Sequence, residues 1–155
     1  MKIDRQLAAD GFAAPSVELI RNWAETTLAA AGHETEELTV RVTDEAESAR
    51  LNERYRDKPG PTNVLSFPFE EPADIHTGLL GDLVICAPIV EREAAEQGKG
   101  IEAHWAHMIV HGVLHLCGYD HIDDGEALVM EGLETEIIKN LGYADPYYDD
   151  EEQAP

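Results

Sequence analysis

The sequence predicts an α+β fold in which about five helices pack over one small mixed sheet of three or four strands. Strand-like segments, short and either alternating or apolar throughout, occur at LTVRVT, VLSF and LGDLVIC. Longer segments between and after them repeat apolar residues at helical spacing and are bounded by capping and stop residues. Strands and helices interspersed in this way favour helices packed over a single sheet.

The first half of the chain carries a set of predicted elements with clear boundaries. They are a short strand at 2–9, a helix from 16 to 31, a half-buried strand at 38–43 and a helix from 44 to about 55. Gly32 follows the last apolar position of the first helix and acts as its stop. Asp44, with Glu47 three residues later, is a capping pair that begins the second helix.

The second half begins after DKPGPTN, a loop rich in turn residues. Its predicted elements are strands at 64–67 and 80–86, and helices at 88–98, 101–117 and from about 123 to 141. Pro88 opens the first of these helices, and Gly118 ends the second. Asp123 or Asp124 caps the last helix. Its apolar face comprises Met130, Leu133, Ile137 and Leu141.

The length of 155 residues predicts one domain over 1–148, followed by an acidic tail, DDEEQAP at 149–155, that is expected to be disordered. No segment approaches the roughly 20 apolar residues of a membrane span, and the N-terminus lacks the apolar run of a signal peptide. Cys86 and Cys117 both lie in apolar segments and are expected to be reduced. These features predict a cytoplasmic protein without a membrane partner.

The charge is strongly acidic, with a formal net charge of −21. Such a surface disfavours nonspecific binding of nucleic acid, because phosphate binding needs cations. Adaptation of the protein to high salt would explain this acidity. The segment RLNERYRDK at 50–58 is an exception, with a local net charge of +2. A polyanion that binds this protein is therefore expected to bind locally.

The segment HGVLHLCGYDH at 111–121 carries three histidines with the spacing of a zinc-protease helix, but glycine replaces the protease glutamate. On a helix, His104, His107, His111 and His115 fall within an arc of about 80°. His111 and His115 are one turn apart and can share a metal ion. A left-handed turn at Gly118 would return His121 as the third ligand. Three imidazoles and an open fourth position predict a catalytic zinc site, with one Zn²⁺ per chain.

Three further residues near this segment have open roles. His104 and His107 precede the predicted ligands by one or two turns, so they could orient ligands, contact substrate or pack in the core. Asp120 adjoins His121 and could accept a ring proton from a ligand or cap the chain locally.

The missing glutamate bears on the reaction. Gly112 cannot act as a general base, whose loss typically costs ~10²–10⁴ in rate. Peptide hydrolysis is therefore disfavoured. A metal can still polarise an anionic substrate such as a phosphodiester, which requires a cation nearby. Arg56, in the segment YRDKPGPTNVLSFPF at 55–69, can supply it, since a guanidinium binds two phosphate oxygens at once. The sequence alone does not bring this loop to the histidines, and its cations could form a solvated face.

Taken together, YRDKPGPTNVLSFPF, LLGDLVIC and HWAHMIVHGVLHLCGYDH resemble the YbeY family of bacterial metal-dependent endoribonucleases, from about Leu38 to Tyr147. The resemblance implies a zinc-binding α+β domain that cleaves single-stranded RNA. It further implies a role in ribosomal RNA processing, including 3′-end maturation of small-subunit RNA, and in ribosome quality control. By motif position, the family's metal ligands match His111, His115 and His121, and its catalytic arginine matches Arg56.

The resemblance also implies partners. The implied activity makes ribosomal RNA and the small ribosomal subunit expected partners. Asp82 matches an acidic position associated with protein partners, so a ribosomal protein or a ribosome-assembly GTPase is an expected contact. The loop departs from the family pattern R-x-K-D-x-P-T-N, because Pro59 and Gly60 follow Lys58 and the aspartate is absent. Two alternatives stay open: a non-catalytic ribosome-assembly factor with a structural zinc, and, more distantly, a zinc protease.

Overall fold

The computed structural model describes residues 1–35, 37–120 and 122–147. The predicted ligand His121 and the predicted disordered tail at 149–155 lie outside the described residues. Among the described residues, no helix combines the length and the apolar character that crossing a bilayer requires.

Four strands and five helices make up the fold, which confirms the predicted α+β class. In chain order they are β1 (Lys2–Leu7), α1 (Val17–Ala31), β2 (Glu37–Thr43), α2 (Glu45–Arg56), β3 (Val64–Pro68), β4 (Leu79–Cys86), α3 (Ala87–Glu96), α4 (Ile101–Leu116) and α5 (Asp124–Asn140). Asp44 caps α2 as predicted, since its side chain accepts a hydrogen bond from the backbone N–H of Glu47 at 2.9 Å. Asp123, one of the two predicted caps, does the same for α5.

The sheet is mixed, with strand order β1-β2-β4-β3. The first three strands are parallel, and β3 runs antiparallel to β4 at one edge. The edge strand β3 also contacts α4, where the Ser66 hydroxyl donates to the carbonyl of Gly112 at 3.4 Å. This arrangement sets the loop before β3 beside the histidine-bearing helix.

The core lies between the sheet and the helices α1 and α4. Trp23 of α1 and Trp105 of α4 are its largest members, and both are almost fully buried. The contact between α4 and the sheet is close at Gly112, where an added Cβ would lie 2.7 Å from a methyl carbon of Leu83. Helix α4 therefore presents one face to the sheet and leaves its histidine face to other neighbours.

The chain turns sharply after α4. Gly118 has a φ of 99°, a left-handed conformation that glycine adopts without steric cost, as the sequence predicted. The N–H of Tyr119 donates back to the carbonyl of Leu114 at 3.0 Å and closes the helix end. Both cysteines are free thiols, Cys86 buried and Cys117 partly buried.

Candidate active site

The second half of α4 brings two histidine nitrogens together. The Nε2 atoms of His111 and His115 lie 3.1 Å apart, and both side chains are only partly buried. Two ligands held tetrahedrally at about 2.0–2.1 Å from one zinc ion would be separated by roughly 3.3 Å. The pair therefore has the donor type and the spacing that a shared metal ion needs.

A buried carboxylate on α5 supports this pair. Glu134 is 0% exposed, and its Oε1 atom accepts a hydrogen bond from Nδ1 of His111 at 2.5 Å. Its Oε2 atom lies 2.9 Å from Nε2 of His107 and also accepts from the hydroxyl of Tyr147. Sequence reasoning did not find Glu134. The available signal was its position among the apolar residues of α5, four residues after Met130 and three before Ile137.

The protonation of this cluster follows from its hydrogen bonds. Burial alone would raise the pKa of Glu134, but hydrogen bonds from His107, His111 and Tyr147, with the nearby charge of His111, lower it to about 2. Burial lowers the pKa of His107. Burial and the Glu134 carboxylate together raise the pKa of Tyr147. Glu134 is thus a carboxylate anion at neutral pH, held by three hydrogen-bond donors.

His107, His111 and Glu134 also form a cluster that could itself hold a metal ion, since one ligand atom from each lies within 4.8 Å of the others. The separations of 2.5 Å and 2.9 Å between the ring nitrogens and the carboxylate are hydrogen-bond distances. An ion would have to displace both protons to enter between these groups. The Nε2 atoms of His111 and His115, which lie 3.1 Å apart, would need to move less to bind one ion.

Arg56 at the end of α2 and Lys58 in the loop that follows line the same cleft as these histidines. The cleft has a volume of about 490 Å³. Its lining residues include Arg56, Lys58, Asn63, Ser66, His111, His115 and Asp120. Arg56, the last residue of α2, thus lines the same cleft as the histidine pair, a relationship that the sequence could not establish.

Hydrogen bonds fix the loop that carries these cations. The side-chain amide of Asn52 donates to the carbonyl of Gly60 at 2.9 Å. The hydroxyl of Ser48 bonds both the N–H and the carbonyl of Thr62. Both Asn52 and Ser48 are buried on α2, so the helix holds the loop at two points.

The cleft has cations that are not neutralised within the described chain. Over 1–35, 37–120 and 122–147, neither Arg56 nor Lys58 forms an ion pair, and both are exposed. By contrast, Arg41 pairs with Glu47 at 2.6 Å, and Arg92 pairs with Glu45 at 2.7 Å. The unpaired side chains of Arg56 and Lys58 leave positive charge in the cleft that His111 and His115 line.

His104 faces a second cavity of about 530 Å³, beside the cleft. Its Nε2 atom lies 3.0 Å from a carboxylate oxygen of Glu93, and the amide of Asn63 donates to the same carboxylate. The hydrogen bond from His104 is the main cause that lowers the pKa of Glu93. Asn63 lines both cavities. The histidine stripe is therefore divided, with His111 and His115 in the cleft and His104 in the second cavity.

Comparison with known proteins assigns the chain to a family. The family model described as endoribonuclease YbeY matches residues 9–142. The chain belongs to the YbeY endoribonuclease family. The solution structure of TM1509 from Thermotoga maritima is similar, with a TM-score of 0.58 and 25% sequence identity over 95% of this chain and 99% of that one. Membership in the family implies a nuclease that acts on RNA.

In this YbeY-family chain, the position of the protease glutamate faces the sheet. Gly112 is buried, and a side chain there would meet Leu83 of β4 and not the cleft. A carboxylate at this position would be forced into the apolar core. The close packing of α4 thus accounts for the glycine and adds a steric argument against protease chemistry.

The two remaining predicted residues lie in different places. Asp120 is exposed and lines the cleft beside Tyr119. Asp82 is exposed on β4 and lines a groove of about 500 Å³ with Tyr55 and Phe67, whose rings pack edge to face at 5.3 Å. Because Leu83 faces α4, its neighbour Asp82 points to the opposite face of the sheet.

Proposed function

We propose that this protein is a single-strand-specific, zinc-dependent endoribonuclease that processes ribosomal RNA. The observation that carries the proposal is the shared cleft, which Arg56 lines together with the nitrogen pair of His111 and His115. A metal site with an unpaired guanidinium beside it suits an anionic substrate such as a phosphodiester. Family membership supports RNA as that substrate.

The metal ligands in this proposal are His111, His115 and His121, with one Zn²⁺ per chain. The donor set fits zinc, because imidazole nitrogens are common zinc ligands and three of them leave an open position. When bound, the metal would supply Lewis acidity toward the phosphate and toward water. Asp120 lines the cleft one residue before His121 and is a candidate to orient that ligand.

Arg56 stabilises the transition state in this proposal. Its guanidinium can donate to two phosphate oxygens at once and offset the negative charge that develops on them. Lys58 adds a second cation, which draws the backbone of the strand into the cleft. The hydrogen bonds of Asn52 and Ser48 hold the loop, so that these cations need little reorganisation on binding.

The proposal extends to the cellular role of the protein. Residues 1–148 act as one catalytic domain in the cytoplasm, with the precursor of small-subunit ribosomal RNA and its 3′ end as substrate and ribosome quality control as a further role. The small ribosomal subunit, a ribosomal protein and a ribosome-assembly GTPase are the partners. The groove at Asp82 lies on the sheet face away from α4, so a protein could bind there while the cleft is occupied.

The test is cleavage of a labelled precursor of small-subunit RNA, with zinc content measured on the same preparations. His115→Ala should lose both zinc and cleavage. Arg56→Ala should keep about one zinc per chain and lose cleavage by ~10²–10³-fold, the cost of removing one donor to a developing charge. Arg54→Ala is the matched control, since Arg54 lies on the same helix but packs over Tyr55 and does not line the cleft. Equal cleavage by all four proteins would refute the proposal.

A further inference from the structure

We propose that Glu134 is a positioning residue for the metal ligand His111, and that it holds the ring in the tautomer that directs a lone pair into the cleft. The inference rests on the proposed function, since it assigns a role toward the metal. It concerns a residue on α5, outside the loop and the histidine motif. Glu134 itself does not bind the metal.

The contacts around the Glu134 carboxylate hold it in one orientation. Glu134 is fully buried, and no Lys or Arg of the described chain pairs with it. Its Oε2 atom is held by two donors, Nε2 of His107 and the hydroxyl of Tyr147. With that oxygen fixed from two sides, Oε1 is aimed at Nδ1 of His111, 2.5 Å away. The carboxylate cannot turn away without leaving buried donors unsatisfied.

The tautomer of His111 follows from imidazole chemistry. A neutral imidazole has one N–H, so a ring that donates from Nδ1 keeps an unprotonated Nε2. In His111 that Nε2 is the atom that lies 3.1 Å from Nε2 of His115 in the cleft. His107 donates to the same carboxylate from the other nitrogen, and its buried Nδ1 has no partner among the described residues. Two histidines one turn apart on α4 therefore adopt opposite tautomers.

The chain after α5 completes this arrangement. Tyr147 reaches Glu134 and packs its ring edge to face against His107 at 5.3 Å. Lys99, just before α4, donates to the carbonyl of Pro146 at 2.5 Å and holds the segment that carries Tyr147. The end of the described chain thus forms part of the support of the metal site.

The test measures histidine tautomers and zinc affinity separately. In the metal-free protein at a pH where the rings are neutral, long-range ¹H–¹⁵N NMR should show His111 protonated at Nδ1 and His107 at Nε2. Glu134→Gln keeps the volume and one acceptor oxygen, and should weaken zinc by about 10–100-fold, as loss of a partner behind a ligand typically does. Glu134→Ala should weaken zinc further and remove the Nδ1–H preference of His111. Glu136→Gln, the same charge change at an exposed position of α5, is the control.

Two results would overturn the inference. One is a His111 tautomer and a zinc affinity that are unchanged in Glu134→Gln. The other is a loss of zinc in Glu134→Gln as complete as in His115→Ala, which would make Glu134 a ligand. Failure of the proposed function looks different, because a wild type that binds zinc with the expected tautomers but does not cleave RNA would refute the nuclease and leave this inference intact.

Discussion

The side-chain amide of Asn52 donates to the main-chain carbonyl of Gly60, eight residues later, and closes the loop whose Lys58 lines the cleft with the proposed metal ligands. Asn52 is 5% exposed, so this bond is shielded from water and its loss leaves a buried group unsatisfied. The bond joins a helix position, which the sequence predicts well, to a loop whose path it predicts poorly.

Replacing Asn52 with Ala should therefore disturb the cleft through the loop. Stability should fall by about 1–3 kcal/mol, the cost of an unmade buried hydrogen bond. Cleavage should fall by up to ~10²-fold, because a displacement of about 1 Å in a positioned group can cost that much. Denaturant unfolding and single-turnover cleavage check the two effects, with Asn22→Ala on the exposed side of α1 as control. Loss of zinc in Asn52→Ala would contradict the expectation, since the loop holds no proposed ligand.

The ligand set predicts unequal costs along the histidine motif. His121→Ala should weaken zinc far more than His107→Ala, because a ligand bonds the ion directly whereas His107 bonds the carboxylate that holds His111. Competition with a chromogenic chelator measures both affinities. Comparable losses would show that the ligand set is wrong and would favour the His107–His111–Glu134 cluster.

Removing the metal should cost stability without unfolding the protein. The core is built from apolar residues of the sheet, α1 and α4, and most of it does not depend on the proposed ligands. At zinc concentrations 100-fold above the dissociation constant, binding contributes about 2.7 kcal/mol, which corresponds to about 5–10 °C in melting temperature. Thermal unfolding with and without chelator measures the shift. Complete unfolding by chelator, together with RNA binding but no cleavage by the zinc-loaded protein, would favour the assembly factor.

Gly81 gives a stability prediction that is independent of the metal. It has a φ of 147°, and an added Cβ would lie 2.4 Å from the main-chain oxygen of Phe67 on the paired strand. Gly81→Ala should therefore cost about 2–4 kcal/mol through backbone strain and overpacking. Gly132→Ala, on an exposed position of α5 with no atom near the added carbon, should be neutral or stabilising by up to about 1 kcal/mol. Denaturant unfolding of both variants measures the change in the free energy of unfolding. An unchanged stability in Gly81→Ala would be inconsistent with the β3–β4 pairing.

Local sequence signals were sufficient for the elements and for the histidine face. The helical spacing of His104, His107, His111 and His115 needs only the period of one helix, so it can be deduced without tertiary information. The left-handed turn at Gly118 was predicted from the freedom of glycine to adopt that conformation, which is also a local property. By contrast, the placement of Arg56 and His111 in one cleft depends on how α2, β3 and α4 pack, and no local pattern encodes it.

Glu134 illustrates a second limit of prediction from the sequence. The apolar stripe of α5 was predicted to include Leu133, which is only partly buried, whereas the neighbouring Glu134 is fully buried. A charged residue on an apolar face is read as exposed unless its donors are known, and here they come from α4 and from Tyr147. Its role could be deduced only once the three elements were seen together.

The two exposed cations that line the cleft have a kinetic consequence in a chain of net charge −21. At low ionic strength, an approaching RNA strand experiences the net charge first and is repelled before it reaches Arg56 and Lys58. Added salt shortens the range of that repulsion to about 10 Å at 0.1 M, while the attraction at contact persists. The association rate should therefore pass through a maximum as salt rises, whereas a basic nuclease would show a steady decline.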